Sequence, residues 1–548
     1  MADTKIAKGS ILILLGSMIF RVGGFIYRFA MATLLGPAGY GIFILTLPII
    51  AVLQLSAEGG IPPAIAKYIA QYDAVGQKDM VEQIIRTSAK LVISLGIILS
   101  IVIYILAEPL ALYLFHNPEA ILPFQCVALI TPFSVIVGEM KGVFQGYYEM
   151  NFINVTKAVE QSSTIIFAVL LVLANFYIAG AVIGTAIGYM ITGLAAFLIF
   201  HKYIWVKLKQ HNAEGQEHPG EKFTRRKELS LIKMLFLFSI PVYLTSLGEL
   251  FMYDIGTWII GVFMTSEYVG FYGIGSPIAR IPLMISMAVA TAVLPATAAA
   301  LSTENRHLLN TYINQAFRYV TILVLPMSLG IAVFAHPILS LLFPGYEMGT
   351  GALQILAIGM LFFTLYTVSA SVAQGVGKPV IPMISLAIAV AIELGLSVVL
   401  VPGYGINGVT LIPEYGINGA ALATTIATFV LMVTVAWGTL RQAKTKLELK
   451  NLGKIVVASL LMAGILYFVP TIYAYTSFYA GMPLAQVLAL IYLILVAFVG
   501  AFLYIVILTL IGGVKKSDVN AFLKLARRLG PLEPLFNKLG SILMKYAV

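Results

Sequence analysis

Cysteine is nearly absent: Cys126 is the only one in 548 residues. That excludes an internal disulfide and any cysteine-rich metal site. Charge is scarce as well, at 11% of residues against 60% hydrophobic, with a mean hydropathy of +0.96. Soluble domains carry roughly 25% charged residues, so the composition is that of an integral membrane protein. A nucleotide-binding loop of the Walker type is missing too. The nearest approach, Gly375-Val376-Gly377-Lys378-Pro379, is too short and ends in proline rather than Ser or Thr. ATP hydrolysis by this chain is therefore not expected.

What is present is a series of long apolar runs. A membrane helix needs about 20 such residues, and the hydropathy pattern predicts an all-α chain of about fourteen transmembrane helices. The first set lies near 9–34, 40–63, 89–115, 122–147, 155–175 and 177–201. The second lies near 231–264, 268–300, 316–343, 350–376, 379–402, 416–440, 452–473 and 484–511. The first run is too long for a signal-peptide core and lacks a small-residue cleavage site, so it is expected to stay as helix one.

Lysine and arginine avoid every second loop. They concentrate at Lys5 and Lys8 and in 67–90, 202–233, 306–318, 378, 441–454 and 515–545, and none occurs near Pro37, Asn117, Phe176, Ser266, Pro344, Pro402 or Ser477. Positive loops stay cytoplasmic, which predicts a multi-pass cell-membrane protein with both termini inside. The net charge of +10 then reflects topology and attraction to anionic lipids, and no nucleic-acid partner is expected. The tail places Val519, Phe522, Leu525 and Leu529 at helical spacing, the pattern of an amphipathic helix on the inner leaflet.

Internal similarity divides the chain. Residues 36–49 (GPAGYGIFILTLPI) resemble 265–278 (TSEYVGFYGIGSPI), pairing Gly41 with Gly270 and Pro48 with Pro277. The same offset pairs FQGY at 144–147 with AQGV at 373–376. GAVIGTAIG at 180–188 resembles GAALATTIA at 419–427 at an offset larger by ten, and the pentapeptide YGING, present at Tyr404 and again at Tyr415, accounts for the jump. Parallel repeats of this kind build transporters. The expected organisation is an N-lobe (1–203), a basic cytoplasmic loop (204–230), a C-lobe (231–445), a last helix pair (446–511) and a basic amphipathic tail (512–548).

Charge inside the apolar runs is the clearest functional signal. Arg21 and Arg28 in FRVGGFIYRF share a helix face about 10.5 Å apart. Each would cost about 2.5–3.5 kcal/mol facing lipid at the bilayer centre, so a water-filled interior is expected on that face. Glu58, Glu139, Lys141, Glu249, Asp254, Arg280 and Glu393 lie at comparable depths. Arginine forks suit an anionic ligand, with the carboxylates left for gating or for coupling to an ion. Blander readings stand beside these: Arg28 paired with an acid on a neighbouring helix, Arg21 snorkelling to the cytoplasm, Glu139 and Lys141 solvated at a helix end, and Glu58 placed where helix two breaks.

Residues 16–49, LSAEGGIPPAIAKYIAQY (55–72), GVFQGYYEMN (142–151) and GSPIARIPLMISMAVATAVLPATAAA (275–300) resemble the multidrug/oligosaccharidyl-lipid/polysaccharide superfamily. The likeness is greatest to its polysaccharide flippase branch, which includes O-antigen type, sporulation protein VB-like and lipid II flippases. The resemblance implies two six-helix lobes around a cavity open alternately to each side, and no enzymatic activity. It also implies phosphate binding by Arg21, Arg28 and Arg280, while Glu58, Glu139, Lys141 and Glu249 are expected, from their charge within apolar runs alone, to be cavity or gating groups. A sodium site drawn from Asp254, Glu393 and Thr424 follows from the resemblance. Sodium, protons or membrane potential are the expected coupling agents, a lipid-linked oligosaccharide the substrate, and a monomer the working state. Lipid II flippases carry basic residues just before AEG, where this chain has Gln54 and Leu55.

Two rivals remain in view. A multidrug exporter of the same superfamily is expected to have twelve helices and to prefer cationic drugs. A membrane glycosyltransferase or ligase needs catalytic acids on substantial outside loops, whereas the outside acids here are the scattered Glu119, Glu267, Glu347 and Glu414.

Overall fold

The computed structural model describes residues 2–206, 208–209, 225–406, 409–468 and 483–516, with 519, 523 and 544. The side chains of 2–22, 225–227, 238, 241–242, 404–412, 483–487 and 489 lie outside that description. The basic loop at 210–224, the end of the predicted thirteenth helix and most of the tail are therefore not covered.

The described chain is helical almost throughout and divides into two compact units, Met1–Gly273 and Ile274–Val548. The first unit contains α1 (Ala2–Glu58), α2 (Ile61–Ala74), α3 (Lys78–Pro109), α4 (Ile121–Gly146), α5 (Met150–Leu171), α6 (Tyr177–Phe200) and α7 (Arg225–Phe263). α8 (Ser266–Ala279) crosses the boundary. The second unit continues with α9 (Leu283–Ser302), α10 (Arg306–Val333), α11 (Ala335–Leu342), α12 (Thr350–Gly375), α13 (Val380–Leu400), α14 (Gly416–Ala443), α15 (Leu449–Tyr467) and α16 (Pro483–Leu510). Among the described residues, 11 helical stretches are long and apolar enough to span a bilayer, two of them joining runs that hydropathy separates.

The first two predicted helices follow one another within α1, separated by one non-helical residue. That residue is Gly36, with φ 68° and ψ 175°, a conformation open to glycine. Pro37 follows, and a proline at the start of a new helical turn lacks only a donor that would be unused. α1 ends where the sequence places a break, at Glu58. Gly60 then takes φ 70°, and a Cβ there would come 2.7 Å from the Ser239 carbonyl oxygen of α7. α2 starts with Pro62 and Pro63 in its first turn.

Small residues set the spacing of the first unit. Gly180, Gly184 and Gly188 recur at four-residue intervals on α6. Cβ atoms at the last two would come 2.3 Å from Ala168 Cα and 2.2 Å from Thr164 Oγ1 of α5. Such stripes let membrane helices approach closely where no hydrophobic effect drives them together. Ile61, Ile65 and Ile69 of α2 pack with Ile84 and Ile85 of α3 and Val143 and Phe144 of α4 in one buried cluster.

The repeat has a physical counterpart at the start of α8. A Cβ on Gly41 would stand 1.7 Å from the Ser266 oxygen and 3.0 Å from the Gly270 nitrogen. One on Gly270 would stand 2.3 Å from the Pro37 oxygen and 3.4 Å from the Gly41 nitrogen. The offset that pairs Gly41 with Gly270 also pairs Pro37 with Ser266, so the contact is reciprocal.

In the second unit α10 is central. Its Leu309, Ile313, Val320 and Val324 pack on Val368 and Val372 of α12, and its Leu325 joins Ile455 of α15 and Tyr504 of α16. Two predicted helices change here. The predicted helix at 268–300 is interrupted by a turn at Arg280–Pro282, with Leu283 N bonded to the Arg280 carbonyl at 3.1 Å. The helix predicted from 316 begins at Arg306, capped by Asn305, whose side chain accepts from Leu308 N at 2.9 Å. Among the described residues, Tyr404–Ile406 and Val409–Ile412 are the exception to helix. They form a two-stranded antiparallel hairpin pairing Tyr404 with Ile412 and Ile406 with Val409. The first YGING copy begins this hairpin, while the second opens α14 at Gly416.

Candidate functional site

Arg28 sits half-buried on α1, just before the Gly36 kink. Its guanidinium acts on the hydroxyls of Tyr27 and, across the kink, Tyr40. Tyr27 and Thr185 of α6 hold their hydroxyls 3.3 Å apart. Among the described residues, no carboxylate forms an ion pair with Arg28, so the simple structural pairing foreseen as an alternative is not observed. The side chain of Arg21 lies outside the described residues.

A second polar group gathers where α1 ends. Glu58 accepts from Gln54 Nε2 at 3.0 Å, and its Oε1 lies where a Cβ on Gly138 would fall, 2.2 Å away. Glycine at 138 thus opens the slot in α4 that Glu58 enters. Lys141 of α4 is exposed and within electrostatic reach of Glu58 and of Glu160 on α5. Tyr189 of α6 hydrogen-bonds Glu160. Glu139, only 2% exposed, stands 2.6 Å from Ser88 Oγ of α3 and feels the charge of Glu58. Three expected residues, Glu58, Glu139 and Lys141, are therefore brought together, while Glu249 and Asp254 are half-buried on α7.

In the second unit, Arg280 is half-buried at the turn between α8 and α9. Glu393 of α13 and Thr424 of α14, 1% and 3% exposed, meet through a 2.6 Å hydrogen bond donated by Thr424 Oγ1. Elsewhere in this unit a polar cavity of 190 Å³ is lined by His307, Asn314, Arg318, Glu448, Asn451 and Lys515. Arg318 donates to the Gly513 carbonyl at 2.6 Å, and Lys515 donates to Glu448 at 2.7 Å.

Hydrogen bonds from Lys515 and Asn451 hold the Glu448 carboxyl below the usual carboxylate range. A depressed folded value contributes stability above the unfolded value, about 4.3, and that contribution is lost as pH falls through the folded value. Lys515→Ala is therefore expected to destabilise the chain at neutral pH by under about 1 kcal/mol, because both partners are largely exposed. The difference from wild type should vanish in acid, which thermal unfolding of the detergent-solubilised chain at several pH values checks.

Sequence reasoning missed six participants: Tyr27, Tyr40, Ser88, Glu160, Thr185 and Tyr189. Glu160 carried the same signal as the others, a carboxylate inside an apolar run. The five hydroxyl residues carried none, since only tertiary packing brings them into the polar groups.

Two family models match. One described as polysaccharide biosynthesis protein covers residues 6–300, and the MatE model covers 241–399. The chain is 27% identical to the uncharacterized membrane protein YabM of Bacillus subtilis (strain 168), over 84% of each chain. To the lipid II flippase MurJ of the same organism it is 25% identical, over 73% of this chain and 78% of that one. Agl15 of Haloferax volcanii, a probable low-salt glycan biosynthesis flippase, is 26% identical over 43% of this chain and 48% of its own. Among solved structures, a lipid II flippase MurJ in an inward closed conformation matches with a TM-score of 0.67 at 16% identity, over 91% of this chain and 98% of that one. An inward-facing multidrug resistance MATE family transporter matches at 0.62 and 16% identity, over 77% and 95%. Because the first family model spans more than half of the 548 residues, the chain belongs to the polysaccharide biosynthesis protein family.

Proposed function

We propose that this protein is a flippase that carries a polyprenyl phosphate- or pyrophosphate-linked oligosaccharide from the cytoplasmic to the outer face of the cell membrane by alternating access. The observation that carries the reading is Arg28, a half-buried cation within an apolar chain whose described neighbours are hydroxyls rather than acids. A sugar-phosphate headgroup cannot cross hydrocarbon unaided, and an arginine without an acid partner offers its phosphate a charge-assisted bond. Arg21 and, in the second unit, Arg280 are further candidates for phosphate contact. The chain crosses the membrane fourteen times with both termini cytoplasmic, as lobes 1–203 and 231–445 joined by the loop 204–230, followed by the helix pair 446–511 and the tail 512–548. It works as a monomer. Glu58, Glu139, Lys141 and Glu249 would act as cavity or gating charges, and Asp254 in the first unit and Glu393 with Thr424 in the second are the candidates for contact with a coupling cation.

Lipid II is the alternative substrate, because MurJ is among the relatives. Against it, position 54 holds a neutral Gln54 whose amide is committed to Glu58. The MatE match over 241–399 keeps a drug-exporter reading as the other alternative. Proteoliposomes containing the full chain decide among these, given three probes: a fluorescent polyprenyl-pyrophosphate oligosaccharide, fluorescent lipid II, and an organic cation. Transfer of the first alone is expected. Transfer of lipid II alone would move the assignment to peptidoglycan precursor, and transport of the cation alone would replace the flippase reading.

A further inference from the structure

Among the described residues Glu139 is the most enclosed acid of the first unit, and the positions of its neighbours bear on where a proton would sit. Ser88 Oγ stands 2.6 Å from Glu139 Oε1, 2.7 Å from the Ile84 carbonyl oxygen and 3.2 Å from that of Ile85. A hydroxyl has one proton to give. Serines in membrane helices bond back to the carbonyl four residues earlier, and if Ser88 does so, its short contact with Glu139 needs a proton on the carboxyl. The other carboxyl oxygen, Oε2, is buried with no hydrogen-bond partner among the described residues. An ionised Glu139 would thus have a bare, buried oxygen beside the carboxyl of Glu58, and buried groups in that position neutralise instead.

The charged groups on the packed helices do not reverse this. On α1 the facing group is Glu58, itself an acid. On α2, Asp73 is engaged by Lys78, and Lys67 lies over the Tyr68 ring. On α3, Arg86 is paired with Glu82 and Lys90 with Glu228. Lys141 of α4 and Lys157 of α5 serve Glu58 and Glu160, and Tyr189 of α6 is bonded to Glu160. No cation among these is directed at Glu139.

We propose that Glu139 and Ser88 form a proton-binding site between α3 and α4, and that its loading and unloading couples proton movement to the transport cycle. In the loaded form the proton sits on Oε1 and is donated to Ser88 Oγ, whose own proton goes to Ile84. Unloading breaks the Oε1–H bond, leaves a carboxylate, and passes the proton to water; no electrons are exchanged. It requires α3 and α4 to move apart enough for water to replace Ser88 Oγ at Oε1. The coupling role goes beyond the flippase reading and rests on the chain being a transporter, whereas the proton site itself does not.

Infrared spectroscopy of the full chain reconstituted in lipid, titrated with pH, tests the site by the C=O stretch of protonated carboxyl groups. A band is expected that disappears on raising the pH, is lost in Glu139→Gln, persists in Glu58→Gln, and shifts in frequency in Ser88→Ala because its acceptor is gone. A band unchanged in Glu139→Gln, or no such band in wild type, overturns the proposal. If Glu139→Gln does not fold, Ser88→Ala decides: a shifted frequency supports the site and an unshifted one overturns it. Coupling is read separately, as stimulation of lipid transfer by a pH gradient that Glu139→Gln abolishes; stimulation that survives the substitution overturns the coupling. If the infrared band behaves as expected but wild type transfers no lipid-linked oligosaccharide, the flippase reading fails and the proton site stands.

Discussion

Arg28→Ala is expected to reduce transfer of a lipid-linked oligosaccharide by about ten- to a hundredfold while leaving the protein folded. A hydrogen bond to a charged group contributes about 1.5–3 kcal/mol, and each 1.4 kcal/mol is about a factor of ten. The cost should appear in transport rather than in stability, because no described carboxylate pairs with Arg28 and so none is orphaned by its loss. Removing a half-buried cation relieves a desolvation cost instead. Arg28→Lys should fall between, since an ammonium keeps the charge but loses the planar fork that matches phosphate oxygens. Tyr40→Phe and Thr185→Val are informative companions: they disturb the hydroxyls beside Arg28 without touching its charge, and should slow transfer several-fold at most. Initial rates in proteoliposomes at matched protein density, with thermal unfolding of each variant, give both readouts. Wild-type transfer in Arg28→Ala would make this arginine structural and move the phosphate site elsewhere.

What was legible beforehand follows a pattern. Charges within apolar runs stand out because hydrocarbon penalises them, so Arg28, Glu58 and Glu139 were visible, and Glu160 could have been. The break after Glu58 was visible because two glycines and two prolines cannot propagate a helix. Partnerships were not visible. Ser88 lies in an ordinary polar-apolar stretch of α3, and only its packing on α4 brings its hydroxyl to Glu139. The meeting of Glu393 with Thr424 was expected only through family resemblance, because 31 residues separate them and no local pattern links the two. Gly36-Pro37 reads as a break by composition, and the structure puts one there, though it is a single residue in a glycine conformation rather than a loop. The two YGING copies carry the sharpest lesson. The first three residues of one copy form a hairpin strand, Tyr404–Ile406, whereas the other copy leads into a helix at Gly416. In the second copy Gly419 lies so close to α13 that a Cβ would come 2.5 Å from the Leu400 carbonyl, so tertiary contact rather than local propensity chooses the helix.

The reciprocal contact of Gly41 with Gly270 leads to the largest structural effect expected. A methyl group at 41 would overlap the Ser266 backbone, 1.7 Å from its oxygen, and one at 270 would meet the Pro37 oxygen at 2.3 Å. Neither obstacle is the tip of a flexible side chain, so α1 and α8 must separate to admit it. Overpacking of this kind costs about 1–3 kcal/mol, and Gly41→Ala should show it as a clear loss of thermal stability in detergent. Gly24→Ala is the control. Nothing lies within 4 Å of a Cβ at Gly24, so alanine there should be neutral or gain up to about 1 kcal/mol of helix propensity. The double variant Gly41→Ala/Gly270→Ala is the sharper measurement. If the two glycines serve one shared crossing, the separation forced by the first methyl already makes room for the second, and the combined loss will be smaller than the sum of the single losses, as holds for residues in contact. Full additivity would mean that each glycine is needed for a separate reason, and the reciprocity seen at Pro37, Gly41, Ser266 and Gly270 would lose its energetic meaning.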